Sequence, residues 1–173
     1  SYEELLTDPA VEAVYVGLPN ALHTQWVCAA ARAGKHVLCE KPLALTAADA
    51  EAIIQAASSG AVTVMEGFMY RHHPQTALLK KLLAEGAVGQ PLLLRGSFHF
   101  TLQNQQDVRL DPALGGGALA DLGCYLVSLM QFLAGGEPDS VQAHARYHPR
   151  GVDEALFAQL RFPGGLMGQF DIS

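Results

Sequence analysis

Lys41 is the residue whose type and position point most directly to chemistry. It stands in K-H-V-L-C-E-K-P-L, Lys35 to Leu43, where Val37-Leu38-Cys39 has the length and composition of a buried strand. Glu40, Lys41 and Pro42 follow where a parallel strand opens onto a loop, and doubly wound sheets bind ligands at that carboxyl edge. Proline biases the residue before it toward extended geometry, so Lys41 is a cation on a stiff mount. A second constellation lies in Gly115-Gly116-Gly117-Ala118-Leu119-Ala120-Asp121-Leu122-Gly123-Cys124-Tyr125. Asp121 and Tyr125 are four apart, which places a carboxylate and a phenol on one face of a helix. Both need partners there, because a lone buried polar group is costly. Each group also has a plainer reading. Glu40 and Lys41 suit a solvated pair at a strand end, and Asp121 and Tyr125 suit a rim pair beside a core.

The surrounding elements decide where these groups sit. Ser1 or a residue before it caps a short helix, Tyr2–Thr7, which Asp8-Pro9 stops. Ala13–Val16 reads as a strand ending in the turn residues Gly17-Leu18-Pro19-Asn20, and His23–Ala33 as an alanine-rich helix closed by Gly34. After the strand Lys35–Cys39, Thr46 caps a helix that ends near Gly60, and Val62–Met65 is a third buried strand. Strands alternating with helices of this length predict a parallel sheet. The pattern changes near Tyr70. Pro74–Glu85 reads as a helix, and period-two alternation then runs through 92–101, 141–148, 156–162 and 167–172. This predicts an antiparallel sheet with one covered face. Its cover is the helix Ala118–Leu133, with the stripe Leu119, Leu122, Leu126, Leu129 and Leu133.

The fold class is therefore α/β. Residues 1–70 form the C-terminal part of a Rossmann-type parallel sheet domain. Residues 71–173 form an incomplete α+β domain with an antiparallel sheet, expected to serve substrate binding and dimerisation.

Composition narrows the function. The 173 residues are 50% hydrophobic with a net charge of −6 and no basic run, which argues against nucleic acid as a partner. Cys28, Cys39 and Cys124 lack metal-type spacing and sit in apolar surroundings, so they read as reduced, buried thiols of a cytoplasmic protein. Leu122–Gly136 is the longest uncharged stretch and is shorter than the roughly 20 residues a bilayer needs, so no membrane is expected. Gly115 to Ala120 matches G-x-G-x-x-A, but Asp111–Leu114 before it reads as a loop where the dinucleotide fingerprint requires a strand. The glycines suit a tight helix entry and close approach to a ligand. His72, His73, His99, His144 and His148 form no helical metal pair and read as solvated, so no metal is expected.

Three ordered motifs together resemble the Gfo/Idh/MocA oxidoreductases: Leu18-Pro19-Asn20-Ala21-Leu22-His23, Glu40-Lys41-Pro42, and Gly115-Gly116-Gly117 through Asp121-x-Gly-x-Tyr125. The Asp-x-Gly-x-Tyr ending and Gly67–Gln75 are similar to one branch, which holds glucose–fructose oxidoreductase, NADP-dependent D-xylose dehydrogenase and dimeric dihydrodiol dehydrogenase. The resemblance implies that Lys41 and Tyr125 are catalytic and that Asp121 helps to place the substrate. It implies that Leu18, Pro19, Asn20, His23, Glu40 and Lys41 meet the nicotinamide half of NADP or NAD. It also implies that Arg109 approaches the cofactor, with Val108 where the family carries tryptophan.

The implied reaction is hydride transfer between nicotinamide and a hydroxyl of a sugar, polyol or dihydrodiol. A base must take the hydroxyl proton. Tyrosine, with a pKa near 10, becomes a better base beside a lysine ammonium. Such a site is expected to assemble between the two domains, with Phe68 and Tyr70 as apolar walls. Two other classes remain open: a non-catalytic relative that senses sugar or cofactor, and an assembly module built on the sheet face of Arg95, His144, Arg146 and Arg161. Relatives begin with a strand, a G-x-G-x-x-G loop and a helix that are not in this sequence. The chain is thus expected to be an internal fragment of a homo-oligomeric enzyme, unable alone to bind either dinucleotide tightly.

Overall fold

The computed structural model describes all 173 residues. The chain divides into two compact units, Ser1–Gly67 with Ala113–Gly115, and Phe68–Pro112 with Gly116–Ser173.

The first unit is built on a parallel sheet. Helix α1 (Tyr2–Thr7) starts in a capping box, with the Ser1 hydroxyl accepting from the Glu4 N–H. Then come β1 (Ala13–Val16), α2 (His23–Arg32), β2 (His36–Cys39), α3 (Ala47–Gly60) and β3 (Val64–Glu66). The strands lie in the order β1-β2-β3, all parallel. Val16 is level with Cys39, and Cys39 with Glu66, so three strands reach the carboxyl edge at one height. Val27, Ala30 and Ala31 of α2 and Ile53 and Ala56 of α3 pack with Val16, Val37 and Cys39. Lys35 is buried, yet its ammonium donates to Asp8 O at 2.7 Å and Val11 O at 2.8 Å, which offsets the cost of burying the charge.

One expectation for this sheet fails. Leu38 is not buried: it lines up with Tyr15 and Met65 as an exposed apolar row on the face away from that core. Strand side chains alternate between faces, so a continuous apolar run is fully buried only where both faces are covered.

The second unit holds α4 (Pro74–Ala84), β4 (Leu93–Phe98), α5 (Cys124–Ala134), β5 (Ser140–Tyr147), β6 (Asp153–Arg161) and β7 (Met167–Ile172). Its sheet is mixed, in the order β4-β7-β6-β5, whereas period two predicted antiparallel pairing throughout. β5–β6 and β6–β7 are antiparallel, but β4 pairs parallel with β7. Alternation reports which face is covered and carries no information on neighbour direction. Ala158, Leu160, Phe162, Phe170 and Ile172 form the sheet side of the core beneath Leu122 and Met130. Gly96 of β4 admits the helix, since a Cβ there would lie 2.9 Å from Leu126 Cδ2. Every residue of β5 is exposed, so the covered face does not extend to that strand.

The helix over this sheet also departs from expectation. Leu119–Gly123 is a π-helical turn, with the Cys124 N–H donating to Leu119 O, and α5 begins only after it. The wider turn shifts the phase: Leu122 and Met130 are buried, while Leu119 is 42% exposed. Pro112–Ala134 is long and apolar enough by composition to cross a membrane. In this fold it is broken by the 3₁₀ turn Pro112–Leu114, a glycine loop and the π turn, and it supplies the core of the second unit.

At Gly60 the backbone of α3 lies against α2, because a Cβ there would fall on the Ala31 carbonyl oxygen. Gly60→Ala is expected to lower stability by about 1–3 kcal/mol, the usual cost of overpacking. The helix-propensity gain of about 1 kcal/mol does not offset a clash with backbone. A urea midpoint equal to that of the parent chain would contradict this close approach.

Candidate functional site at the strand ends

The candidate site begins where the three parallel strands stop. The chain leaves β1 through Gly17–Asn20, β2 through Glu40–Leu43 and β3 at Gly67. Backbone hydrogen bonds join these exits: the Glu40 N–H donates to Val16 O at 2.9 Å and the Gly67 N–H to Cys39 O at 2.7 Å. The first residue of α2 completes the join. His23 Nδ1 lies 2.8 Å from Pro42 O, and Nε2 lies 2.8 Å from Leu18 O. The Leu43 N–H donates to Glu66 Oε1 at 2.8 Å. The Lys41–Pro42 peptide is cis.

Leu18, Pro19, Asn20, Glu40 and Lys41 are partly exposed along this edge, where a ligand can reach them. The Asn20 amide donates to Gly115 O at 2.9 Å, which binds Ala113–Gly115 to this unit. His23 does not match its expected role. It is 0% exposed and both ring nitrogens face backbone carbonyls, so it ties loops together and presents no surface to a cofactor. Sequence reading also passed over Tyr15, whose hydroxyl donates to Glu40 Oε1 at 2.6 Å. That bond, with burial as the lesser cause, holds the Tyr15 phenol above its usual range. Glu66, the last residue of β3, lies just past the strand expected over Val62–Met65. No spacing rule links it to Leu43, 23 positions earlier.

In the second unit, Asp121 sits on the π turn and Tyr125 at the start of α5. Asp121 Oδ2 accepts from Arg109 Nε at 2.8 Å, and Arg109 also reaches Asp107. Burial opposes the Arg109 charge, but Asp121 and then Asp107 outweigh it and hold the guanidinium above its usual range. The carboxyl of Asp107 is held below its own range, first by the Arg109 N–H. Arg109 was expected to approach a cofactor. In this structure its guanidinium holds the Asp121 carboxylate, and its guanidinium carbon lies 5.8 Å from the centre of the Phe100 ring.

The Tyr125 ring packs against Phe68, Tyr70 and Phe98 at centroid distances of 5.5, 6.3 and 6.0 Å, with its hydroxyl 3.7 Å from the Met69 sulfur. Asp153 was missed altogether. Its carboxylate accepts from the Leu119 N–H at 2.6 Å and caps the helical run from 34 positions away.

The fingerprint-like glycines at Gly115–Ala120 follow a 3₁₀ turn and lead into the π turn. They do not form the strand–loop–helix that cradles a pyrophosphate. The edge described above does offer partly exposed polar groups, Asn20, Glu40 and Lys41, at the carboxyl ends of the strands.

The three-stranded parallel sheet with helices has the architecture of a Rossmann-type unit, and comparison with known proteins agrees. Residues 1–68 match the oxidoreductase family with an NAD-binding Rossmann fold, and residues 76–173 match the GFO/IDH/MocA C-terminal domain. The chain belongs to the GFO/IDH/MocA oxidoreductase family. It is 41% identical over 175 residues to D-xylose 1-dehydrogenase (NADP(+)) 2 of Haloferax volcanii, covering 100% of this chain and 53% of that protein. It is 39% identical over 174 residues to trans-1,2-dihydrobenzene-1,2-diol dehydrogenase of Oryctolagus cuniculus, again covering 100% and 53%. Aldose-aldose oxidoreductase from Caulobacter crescentus, solved with glycerol, superposes with a TM-score of 0.92 at 36% identity, over 98% of this chain and 52% of that one. The chain thus spans about half the length of the relatives it matches.

All three cysteines are free, but only Cys28 and Cys39 are buried; Cys124 is partly exposed, against expectation. Burial, with Glu66 and Glu40 as lesser causes, pushes the Cys39 thiol from 9.0 up to about 12. The raised value stabilises the fold fully below the unfolded pKa, and that contribution is lost as pH rises from about 9 toward 12. Cys39→Ala is expected to lower overall stability and to flatten the alkaline decline across that window. Unfolding curves at several pH values check this, and an unchanged slope would contradict it.

Proposed function

We propose that the full-length protein carrying this chain is an NAD(P)-dependent dehydrogenase acting on a hydroxyl of a sugar, polyol or dihydrodiol. The observation that carries this reading is the placement of Lys41 at the carboxyl edge of a parallel sheet in an NAD-binding family. Oxidising CH–OH to C=O takes a hydride from carbon and a proton from oxygen. In that exchange Tyr125 receives the proton at its phenolic oxygen and Lys41 is the catalytic cation, the roles that the family resemblance implies for them. Asp121, oriented by Arg109, accepts a hydrogen bond from a neighbouring substrate hydroxyl.

Bound nicotinamide dinucleotide supplies the hydride acceptor. Leu18, Pro19, Asn20, Glu40 and Lys41 are the residues here that would hold its nicotinamide end. Similar structures were solved with NADP and with NADH, so either dinucleotide fits this reading. Free thiols fit a reducing, cytoplasmic setting. The fully exposed β5 supports a homo-oligomer formed through the open sheet face.

A polyol and dihydrodiol panel with both dinucleotides tests the activity. Tyr125→Phe in the full-length protein is expected to lower turnover about 10²–10⁴-fold, the range for an acid–base group, with cofactor affinity little changed. Near-normal turnover would assign the proton transfer to another residue. Sedimentation as a monomer at micromolar concentration would remove the oligomer from this reading.

A further inference from the structure

We propose that Glu66 is a positioning residue for Lys41, acting by fixing the backbone that leads away from it. The proposal rests on the reading of Lys41 given above. Lys41 lies between two anchored stretches of one loop. On its N-terminal side, Glu40 is held to β1 through its N–H and Val16 O. On its C-terminal side, Pro42 O faces His23 Nδ1 and the Leu43 N–H donates to Glu66 Oε1, each at 2.8 Å. Glu66 ends β3, level with Cys39 at the end of β2, and the bond from the Gly67 N–H to Cys39 O closes the same corner.

The grip therefore comes from β1, α2 and β3 together, while Lys41 keeps its place on the partly exposed edge. The grip on the Leu43 N–H needs an acceptor oxygen at this reach, which a glutamate carboxylate or a glutamine amide supplies. Removing it leaves the Leu43 N–H without that acceptor and lets the loop relax. A shift of about 1 Å in a group that must be oriented for reaction costs up to about 10²-fold in rate.

Steady-state kinetics of the full-length protein, on whichever hydroxyl substrate the panel identifies, separate reach from charge. Glu66→Gln keeps an acceptor oxygen at the same distance and is expected to retain kcat within about threefold. Glu66→Asp keeps the charge but draws it back from the Leu43 N–H. It is expected to lower kcat about 10- to 100-fold with KM little changed. Glu66→Met, similar in length but without the acceptor oxygen, is the second loss variant should the aspartate variant not fold. In a Lys41→Ala background neither loss variant is expected to slow turnover further, because Glu66 acts through Lys41. An active aspartate variant with an inactive glutamine variant would overturn the proposal, since charge and not reach would then matter. Independent, multiplicative losses in the double variant would overturn it as well. Near-normal turnover of Lys41→Ala alone would instead remove the reading of Lys41, whichever way the Glu66 variants rank.

Discussion

The first unit depends on one buried imidazole. Leu18 O and Pro42 O lie past the ends of β1 and β2, where the ladder supplies no partner, and a buried carbonyl without a partner is costly. His23, the first residue of α2, places one ring nitrogen 2.8 Å from each oxygen, and the nitrogen that carries the N–H donates to the carbonyl it faces. The helix that covers the sheet thereby also sets the two loops leaving its edge. With Val16, Cys39 and Glu66 level in the ladder, the joined loops form a shelf at the carboxyl ends of the strands. Lys41 and Glu40 stand on that shelf.

The second unit applies the same logic with different chemistry. Asp121 lies on a π turn, a device often found where a helix must aim a functional side chain. Its carboxylate is fixed by Arg109, which reaches over from the segment before the glycine loop. Tyr125, one turn on, is ringed by Phe68, Tyr70 and Phe98, so its phenol sits at the end of an apolar cluster. The start of the helical run is held by Asp153 on β6, which ties this turn to the sheet beneath it.

Much of this was legible in the residues. Strand–helix alternation predicted the parallel sheet of β1, β2 and β3, and Gly17–Asn20 and Glu40–Pro42 fell at strand ends as turn chemistry requires. What escaped was long-range or phase-dependent. The parallel pairing of β4 with β7 joins segments about 75 positions apart. The π turn moved the buried stripe from Leu129 toward Met130, a one-residue change that a period of 3.6 cannot foresee. His23 was legible as part of a motif but not as a buried tie, because its partners are backbone carbonyls, and a carbonyl has no residue type to read. Glu66 escaped for the same reason: it accepts from a backbone N–H.

In the proposed reaction a hydroxyl-bearing carbon gives its hydrogen to nicotinamide as hydride. Isotope transfer reads this directly. The full-length protein is supplied with a substrate deuterated at the carbinol carbon, and the reduced dinucleotide is analysed by mass spectrometry. One deuterium is expected in the reduced nicotinamide for each carbonyl formed. Carbonyl product with the deuterium lost to solvent, or reduced dinucleotide without label, would contradict it.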